Sequence, residues 1–390
     1  MTHQKASASS DYTIACYYFP NYHVDPRNEA AHGPGWSEWE LVKRAEPRFL
    51  GHRQPRVPLW GYEDESDPAA MAKKIGAAAD HGIDAFTFDW YWYDDGPFLE
   101  GGLERGFLNA SNNHRIRFAL MWANHDWIDI HPVTLGGVGE RARLLYPGAV
   151  TRETFDAICD TVIERYFAHP SYWLIDGCPY FSVYDLGRLV EGFGGVAATR
   201  EALAEFRRRV KAAGFTDLHL NAVVWSVRVL GDASSHGEQT ISDPNELLLT
   251  LGFDSITSYV WVHHGVLDVF PETDYGAARD RYLAYWDGVG DEFSLPYHPN
   301  VTVGWDPPPR TVQSDVYLNV GYPFTPTLAG NTPERFREAL SLVKRRLDQH
   351  ADAPKILTVN AWNEWTEGSY LEPDTAYGVQ YLEAIRAVFG

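Results

Sequence analysis

The sequence predicts an α/β fold, a single (β/α)8 TIM barrel, on three observations. Eight short apolar runs recur along the chain, helical stretches fall between them, and no repeat, linker or low-complexity block divides the 390 residues. The runs are continuous rather than alternating, as parallel strands covered on both faces require. Residues 12–390 are expected to form the barrel. Residues 1–11, polar and without an apolar run, are expected to be a disordered N-terminal tail.

The first run is 13–19 (TIACYYF). Residues 20–66 follow as the longest insertion, and a connection of that length in a compact domain is more often functional than idle. Placed after strand one, it becomes a long β1–α1 loop over the C-terminal mouth, where barrel enzymes carry their active sites. Asp67-Pro68 then caps a helix running to residue 81, with Gly82 as its stop. The second run is 85–92 (AFTFDWYW) and the third 117–123 (RFALMWA), whose helix is delayed to 151–167. The fourth, 180–184 (YFSVY), precedes Gly192-Phe193-Gly194-Gly195, which reads as a loop, and a helix over 198–213 stopped by Gly214. The fifth, 218–225 (LHLNAVVW), is followed by a short helix at 244–251. Runs 254–259 (DSITSY) and 301–305 (VTVGW) alternate with helices at 274–289 and 332–349. Thr332-Pro333 opens the second of these with a cap and a first-turn proline. The eighth run, 356–361 (ILTVNA), leads to a C-terminal helix at 376–389. A doubly wound open sheet would carry a Gly-rich first turn, and Pro20-Asn21-Tyr22-His23 is not one.

Composition narrows the function. Apolar residues make up 45% and charged residues 22%, the profile of a globular protein. The formal charge is −20, from 33 basic and 53 acidic residues, which repels phosphate backbones and anionic lipid. Nucleic acid and membrane are therefore not expected as partners. No stretch approaches the roughly 20 apolar residues of a membrane span. Cys16, Cys159 and Cys178 are far apart and form no metal spacing, so they read as reduced thiols. With no secretory signal at the N-terminus, the expected compartment is cytoplasmic, and no cofactor or metal is expected.

Residues just beyond each strand should face the mouth. Those positions hold His23; Asp89 and Tyr91; Trp122, Asn124, His125 and Asp126; Tyr184; Trp225; Tyr259, Trp261 and His263; Trp305; and Asn363, Glu364 and Glu367. Twelve of the fourteen tryptophans fall at strand ends or in the loops beyond them. Sugar rings lay their C–H faces on aromatic rings and bond through hydroxyls to carboxylates and amides, so the mouth reads as a carbohydrate pocket. The sharpest local signal is Asn360-Ala361-Trp362-Asn363-Glu364-Trp365-Thr366-Glu367-Gly368, followed by Leu371-Glu372-Pro373. Two glutamates three apart in a tight turn can reach one bond, and an aromatic pocket drives their pKa values apart. Glycoside cleavage needs such a pair, a proton donor and an anion. The plainer reading makes Glu364 a turn cap and Glu367 a solvated side chain.

The segment 360–373 resembles the C-terminal signature of WbsX-type proteins of polysaccharide gene clusters, which are related to glycoside hydrolase family 99, the endo-α-mannosidases and endo-α-mannanases. Supporting segments are Tyr17-Tyr18-Phe19-Pro20-Asn21-Tyr22-His23, Gly35-Trp36-Ser37-Glu38-Trp39, Gly51-His52 with Gln54-Pro55-Arg56, Gly82-Ile83-Asp84-Ala85-Phe86 and Trp122-Ala123-Asn124. The resemblance implies a (β/α)8 barrel and retaining hydrolysis, with Glu364 as base and Glu367 as general acid. In that branch the base takes the proton of the sugar's own 2-hydroxyl and a 1,2-anhydro sugar forms. It also places Trp36, Glu38, Gln54 and Trp365, with His23, among the sugar-binding groups. One departure stands out: His125-Asp126-Trp127 replaces the family's Glu-Asn-Trp, which should alter a subsite.

The expected activity is thus metal-independent glycoside hydrolysis, endo-acting on an α-linked mannan- or rhamnan-like chain. Three rivals remain. A glycosyltransferase would need a diphosphate site, and no Asp-x-Asp occurs in the chain. A metallohydrolase would need a spacing that His125, Asp126, His131 and His263-His264 do not form. A non-catalytic carbohydrate-binding protein would not need both motif glutamates.

Overall fold

The computed structural model describes residues 12–225, 243–349 and 354–390, so the tail expected at 1–11 lies outside the described residues. Each of the eight runs carries a parallel strand: β1 (Thr13–Tyr18), β2 (Ala85–Tyr93), β3 (Arg117–Trp122), β4 (Cys178–Val183), β5 (His219–Val223), β6 (Ser255–Thr257), β7 in two pieces (Tyr297–His298 and Asn300–Thr302) and β8 (Ile356–Asn360). The order around the sheet is β7–β6–β5–β4–β3–β2–β1–β8–β7. The sheet therefore begins and ends on one stretch of chain and is all but closed into a barrel. The break in β7 is Pro299, which has no N–H to give to a ladder but whose carbonyl accepts from Thr358 N at 2.9 Å. Registers such as Phe86 opposite Phe118 and Cys16 opposite Val359 bring buried residues side by side. The strands are buried along nearly their whole length, which is why their sequences do not alternate.

Helices cover the outside. In chain order they are α1 (Pro26–His32), α2 (Trp39–Arg44), α3 (Pro68–Asp80), α4 (Arg152–Thr161), α5 (Leu186–Phe193), α6 (Val196–Ala212), α7 (Pro244–Leu251), α8 (Tyr275–Glu292), α9 (Pro333–Gln349) and α10 (Gln380–Phe389). Asp67 caps α3 by accepting from Ala69 N, and Asp243 caps α7 by accepting from Asn245 N and Glu246 N. α9 buries Phe336, Ala339, Leu340, Val343 and Leu347, one helical face. Among the described residues no helix is long and apolar enough to cross a membrane.

Three elements differ from the sequence expectation. Gly192 and Phe193 are the last turn of α5 rather than loop, and only Gly194, at φ 78°, and Gly195 make the connection. The α4 pattern continues to Phe167 as a wide π turn, Val162–Phe167. The C-terminal helix expected from 376 begins at Gln380, and after β2 the chain makes a short π turn, Gly102–Phe107. The insertion 20–66 holds α1 and α2; Trp39 Nε1 donates to Glu63 O within it at 2.8 Å, and Leu59 N ties it to the segment after β8 by donating to Pro373 O at 2.8 Å. The loops after β3 and β7 share a small apolar cluster of Ile130, Val133, Tyr317 and Phe324. Val133 N donates to Arg310 O at 2.9 Å, so that cluster also fixes the backbone at Arg310.

Candidate active site

The chain leaves β8 and folds into a small hairpin in which Asn363 and Glu364 pair with Tyr370 and Ser369. Its tip is a 3₁₀ turn, Trp365–Glu367, closed by Gly368 at φ 64°. Side chains at i and i+3 eclipse at about three residues per turn, so Glu364 and Glu367 fall on one side. Only glycine fits at 368, because a Cβ there would meet Asp306 Cβ at 2.4 Å.

Two buried ionic clusters hold the hairpin. On one side Lys74, fully buried on α3, contacts Glu65 Oε1 at 2.8 Å and Glu372 Oε1 at 2.6 Å. Glu65 accepts from Asn363 Nδ2, and Glu372 accepts from Trp365 Nε1, both at 2.6 Å. Asn363 also exchanges bonds with Phe19 N and O, tying the hairpin to the end of β1. On the other side Asp306, beyond β7, accepts from Gln54 Nε2 at 2.9 Å and Arg56 Nη2 at 2.8 Å and lies 2.7 Å from His52 Nε2. Burial pushes its pKa up, but Arg56 and His52 outweigh that and hold it below the usual carboxylate value.

Between the clusters stands Arg310, buried at the end of the turn Pro308–Arg310. Every nitrogen of its guanidinium is engaged. Nε and Nη2 meet Glu38 Oε1 at 2.9 and 2.8 Å, Nη2 meets Glu364 Oε1 at 2.7 Å, and Nη1 meets Glu367 Oε1 at 2.6 Å and the Tyr322 hydroxyl. Tyr322 in turn donates to Glu367 Oε1 at 2.6 Å. Burial raises the pKa of Glu364 well above the ordinary value, and repulsion from Glu367 adds to it against Arg310. Glu367 is raised by burial too, but Arg310 and the Tyr322 bond oppose the rise. The pair thus keeps a proton that two solvated glutamates would lose. The rise is opposed more at Glu367, which accepts two bonds that favour its charged form. Glu38 differs: burial raises it, yet Arg310, His131 and Thr366 outweigh burial and keep it ionised.

Both glutamates open onto a cavity of about 280 Å³ at the barrel mouth. Of the residues expected from sequence, Asp89, Tyr91, His125, Asp126, Tyr184, Trp225, Tyr259, His263 and Trp305 line it with Glu364 and Glu367. Tyr259 donates to Asp89 Oδ2 at 2.8 Å, while Asp89 Oδ1, Trp225 Nε1, His263 Nδ1 and His131 Nδ1 are buried without a partner among the described residues. Burial pushes Asp89 well above the usual carboxylate range and lowers His131 to about 4 and His263 to about 3, so both imidazoles are neutral near pH 7. Buried polar atoms without partners facing a cavity are ready points for sugar hydroxyls.

The other expected residues stand behind the wall. Glu38 anchors Arg310, Gln54 donates to Asp306, and Asn363 spans Phe19 and Glu65. Asn124 exchanges bonds with the backbone of Asp185, and His23 is buried against Gly101. Trp36 packs on His32 and His131, and Trp122 on Phe155. Trp261 bonds to Asn300 O, and Trp365 stacks on Tyr370. Strand-end position does not tell an inward side chain from one turned into the surrounding loops. Three tryptophans, 127, 225 and 305, line the cavity, and Tyr91, Tyr184, Tyr259 and Tyr322 supply as much of its aromatic wall. Sequence reasoning missed Arg310 and Tyr322; the one signal was an Arg ending the proline run Pro307-Pro308-Pro309 just past β7. Among the described residues no group of three or more His, Cys, Asp or Glu is gathered in a way that would hold a metal ion.

The profile of the family described as glycosyltransferase WbsX matches residues 14–385. The chain belongs to the WbsX family. Two proteins of Xanthomonas campestris pv. campestris, each described as uncharacterized protein WxcX, are 28% identical over 392 residues and 27% identical over 394 residues. Each match covers 96% of this chain, which spans about half the length of those relatives (49%). Among solved structures, the family 99 endo-alpha-mannosidase of Bacteroides thetaiotaomicron superposes with a TM-score of 0.56 at 13% identity, over 97% of this chain and 96% of that one. A structure described as a glycoside hydrolase-like protein gives 0.55 at 15% identity, over 100% and 97%. This WbsX member therefore shares its barrel fold with glycoside hydrolases of family 99.

Proposed function

We propose that this WbsX protein is a retaining glycoside hydrolase, acting within α-linked chains of the mannan or rhamnan kind without a metal. The observation that carries the reading is the Glu364–Glu367 pair, buried side by side at the mouth of an aromatic cavity and sharing one guanidinium. Glu367 is assigned as general acid to the leaving oxygen and Glu364 as base toward the sugar's 2-hydroxyl, the route through a 1,2-anhydro sugar. These roles need the charge on Glu364 and the proton on Glu367. A 2-hydroxyl donating to Glu364 favours the charged form of that group, which leaves Glu367 as the protonated partner. Substrate binding thereby sets the acid and the base.

The family's description favours a second reading, transfer from a sugar nucleotide. Against it, Arg310 is the only Lys or Arg among the described lining residues, and its nitrogens are all occupied. A diphosphate there would face carboxylates instead of free cations. The test is a reducing-end assay over α-mannans, rhamnans and related glycans, with sugar nucleotides in parallel. Release of reducing ends supports hydrolysis. Turnover only with an activated donor supports transfer, and binding without either supports a lectin-like role.

A further inference from the structure

We propose that Arg310 is the positioning residue of this site, turning Oε1 of Glu364 and Oε1 of Glu367 onto one planar fork and leaving Oε2 of each for the glycan. The proposal rests on the hydrolase reading for its consequence but not for its test. Oε1 of both glutamates is taken by Arg310, and Oε2 of both has no protein partner among the described residues. A guanidinium can do this because its donors lie in a fixed plane; an ammonium is a point charge that cannot span the same acceptors. The fork is itself immobilised. Glu38 holds Nε and Nη2, the guanidinium carbon lies 5.4 Å from the centre of the Phe19 ring, and Val133 N holds the Arg310 carbonyl. Because Glu38 stays ionised, Arg310 keeps a partner whichever of the two glutamates is protonated.

The same contact sets how many protons the pair carries. Burial and mutual repulsion raise both glutamates, and Arg310 is the cation that opposes the rise. The other groups facing the pair are Glu38 from the loop after β1, Asp89 on β2 and Tyr322 after β7, with Tyr22 after β1, Tyr91 on β2, Tyr184 after β4 and Tyr259 after β6 as phenols whose pKa values burial raises, while His131 after β3 lines the same cavity and meets Glu38. None of these replaces a lost positive charge.

The test is a carboxyl-carbon NMR titration of the full chain labelled with [δ-¹³C]glutamate, with Glu364→Gln and Glu367→Gln assigning the two signals. An opposite charge at this range is worth about 1–3 pH units, so Arg310→Gln should raise both midpoints by at least about one unit. Arg310→Lys restores the charge but not the fork, and should still leave one midpoint raised. Unchanged midpoints in folded Arg310→Gln overturn the proposal, as do two wild-type midpoints in Arg310→Lys. Should Arg310→Gln fail to fold around an unpaired Glu38, the double variant Glu38→Gln/Arg310→Gln removes both charges and carries the same expectation and the same refutation. No substrate enters, so an inactive protein with shifted midpoints sinks the hydrolase reading alone. On a glycan that is cleaved, the acid limb of kcat/KM should move up in the same variants, with kcat falling more than KM changes.

Discussion

Lys74→Met should weaken the fold and the site together. The ammonium is buried with contacts of 2.8 and 2.6 Å to Glu65 and Glu372, and its loss leaves two carboxylates in a dry environment. Breaking a buried ion pair by removing one partner costs about 3–5 kcal/mol. Unfolding entropy of about 2.1 cal/mol/K per residue gives ~0.8 kcal/mol/K for this chain, so the expected fall in Tm is about 4–6 °C. Scanning calorimetry at pH 7 reads it. The triple variant Lys74→Met/Glu65→Gln/Glu372→Gln removes all three charges at once and should recover most of the loss, because a neutral replacement of a whole buried cluster is often tolerated. Asn363 and Trp365 hang on the same two carboxylates, so turnover should fall in the single variant as well. A Lys74→Met protein that melts with the wild type would refute the idea that this cluster holds the hairpin.

The other expectations are briefer. Asp89→Asn keeps an acceptor for Tyr259 and removes a carboxyl whose folded pKa burial raises; such a group stabilises fully below its unfolded pKa of about 4 and loses that contribution as pH climbs toward the folded value. The variant should therefore gain in Tm over wild type at pH 7.5 and show no gain near pH 4, and equal melting at both pH values would contradict an upward shift at Asp89. Gly368→Ala meets a left-handed backbone, worth about 1–2 kcal/mol, and a clash with Asp306 Cβ in addition, so activity should drop and a denaturant titration should show a loss larger than the backbone cost alone. Asp67→Ala removes the side chain that accepts from Ala69 N and should cost about 1 kcal/mol in the same titration with turnover unchanged.

Much of the barrel was legible because burial on both faces writes itself into sequence as apolar runs, and because caps such as Asp67-Pro68 and Asp243-Pro244 are local chemistry. The glutamate hairpin was legible for the same reason: a three-residue spacing and a closing Gly368 fix which side both carboxylates take. The walls were harder. Trp122, Trp261 and Trp365 sit at strand ends yet turn into buried contacts, while Trp127 and Trp225 face the cavity, and nothing in the residue type separates the two sets. Glu38 and Gln54 were expected at the substrate but hold Arg310 and Asp306 instead. Arg310 was missed because its partners lie 54, 57 and 272 residues away in sequence, and only the closed barrel brings them together. The π turns at 102–107 and 162–167 were likewise invisible, since their registers answer to tertiary packing rather than local propensity.

The central claim, two glutamates working as acid and base on a glycan, is tested most directly by the reducing-end assay run on wild type, Glu364→Gln and Glu367→Gln side by side. The account predicts that the wild type releases reducing ends from at least one α-linked polymer. Each variant should lose turnover by about 10²–10⁴-fold, the usual worth of a positioned acid or base, while still melting cooperatively. Undiminished hydrolysis in either variant would contradict it.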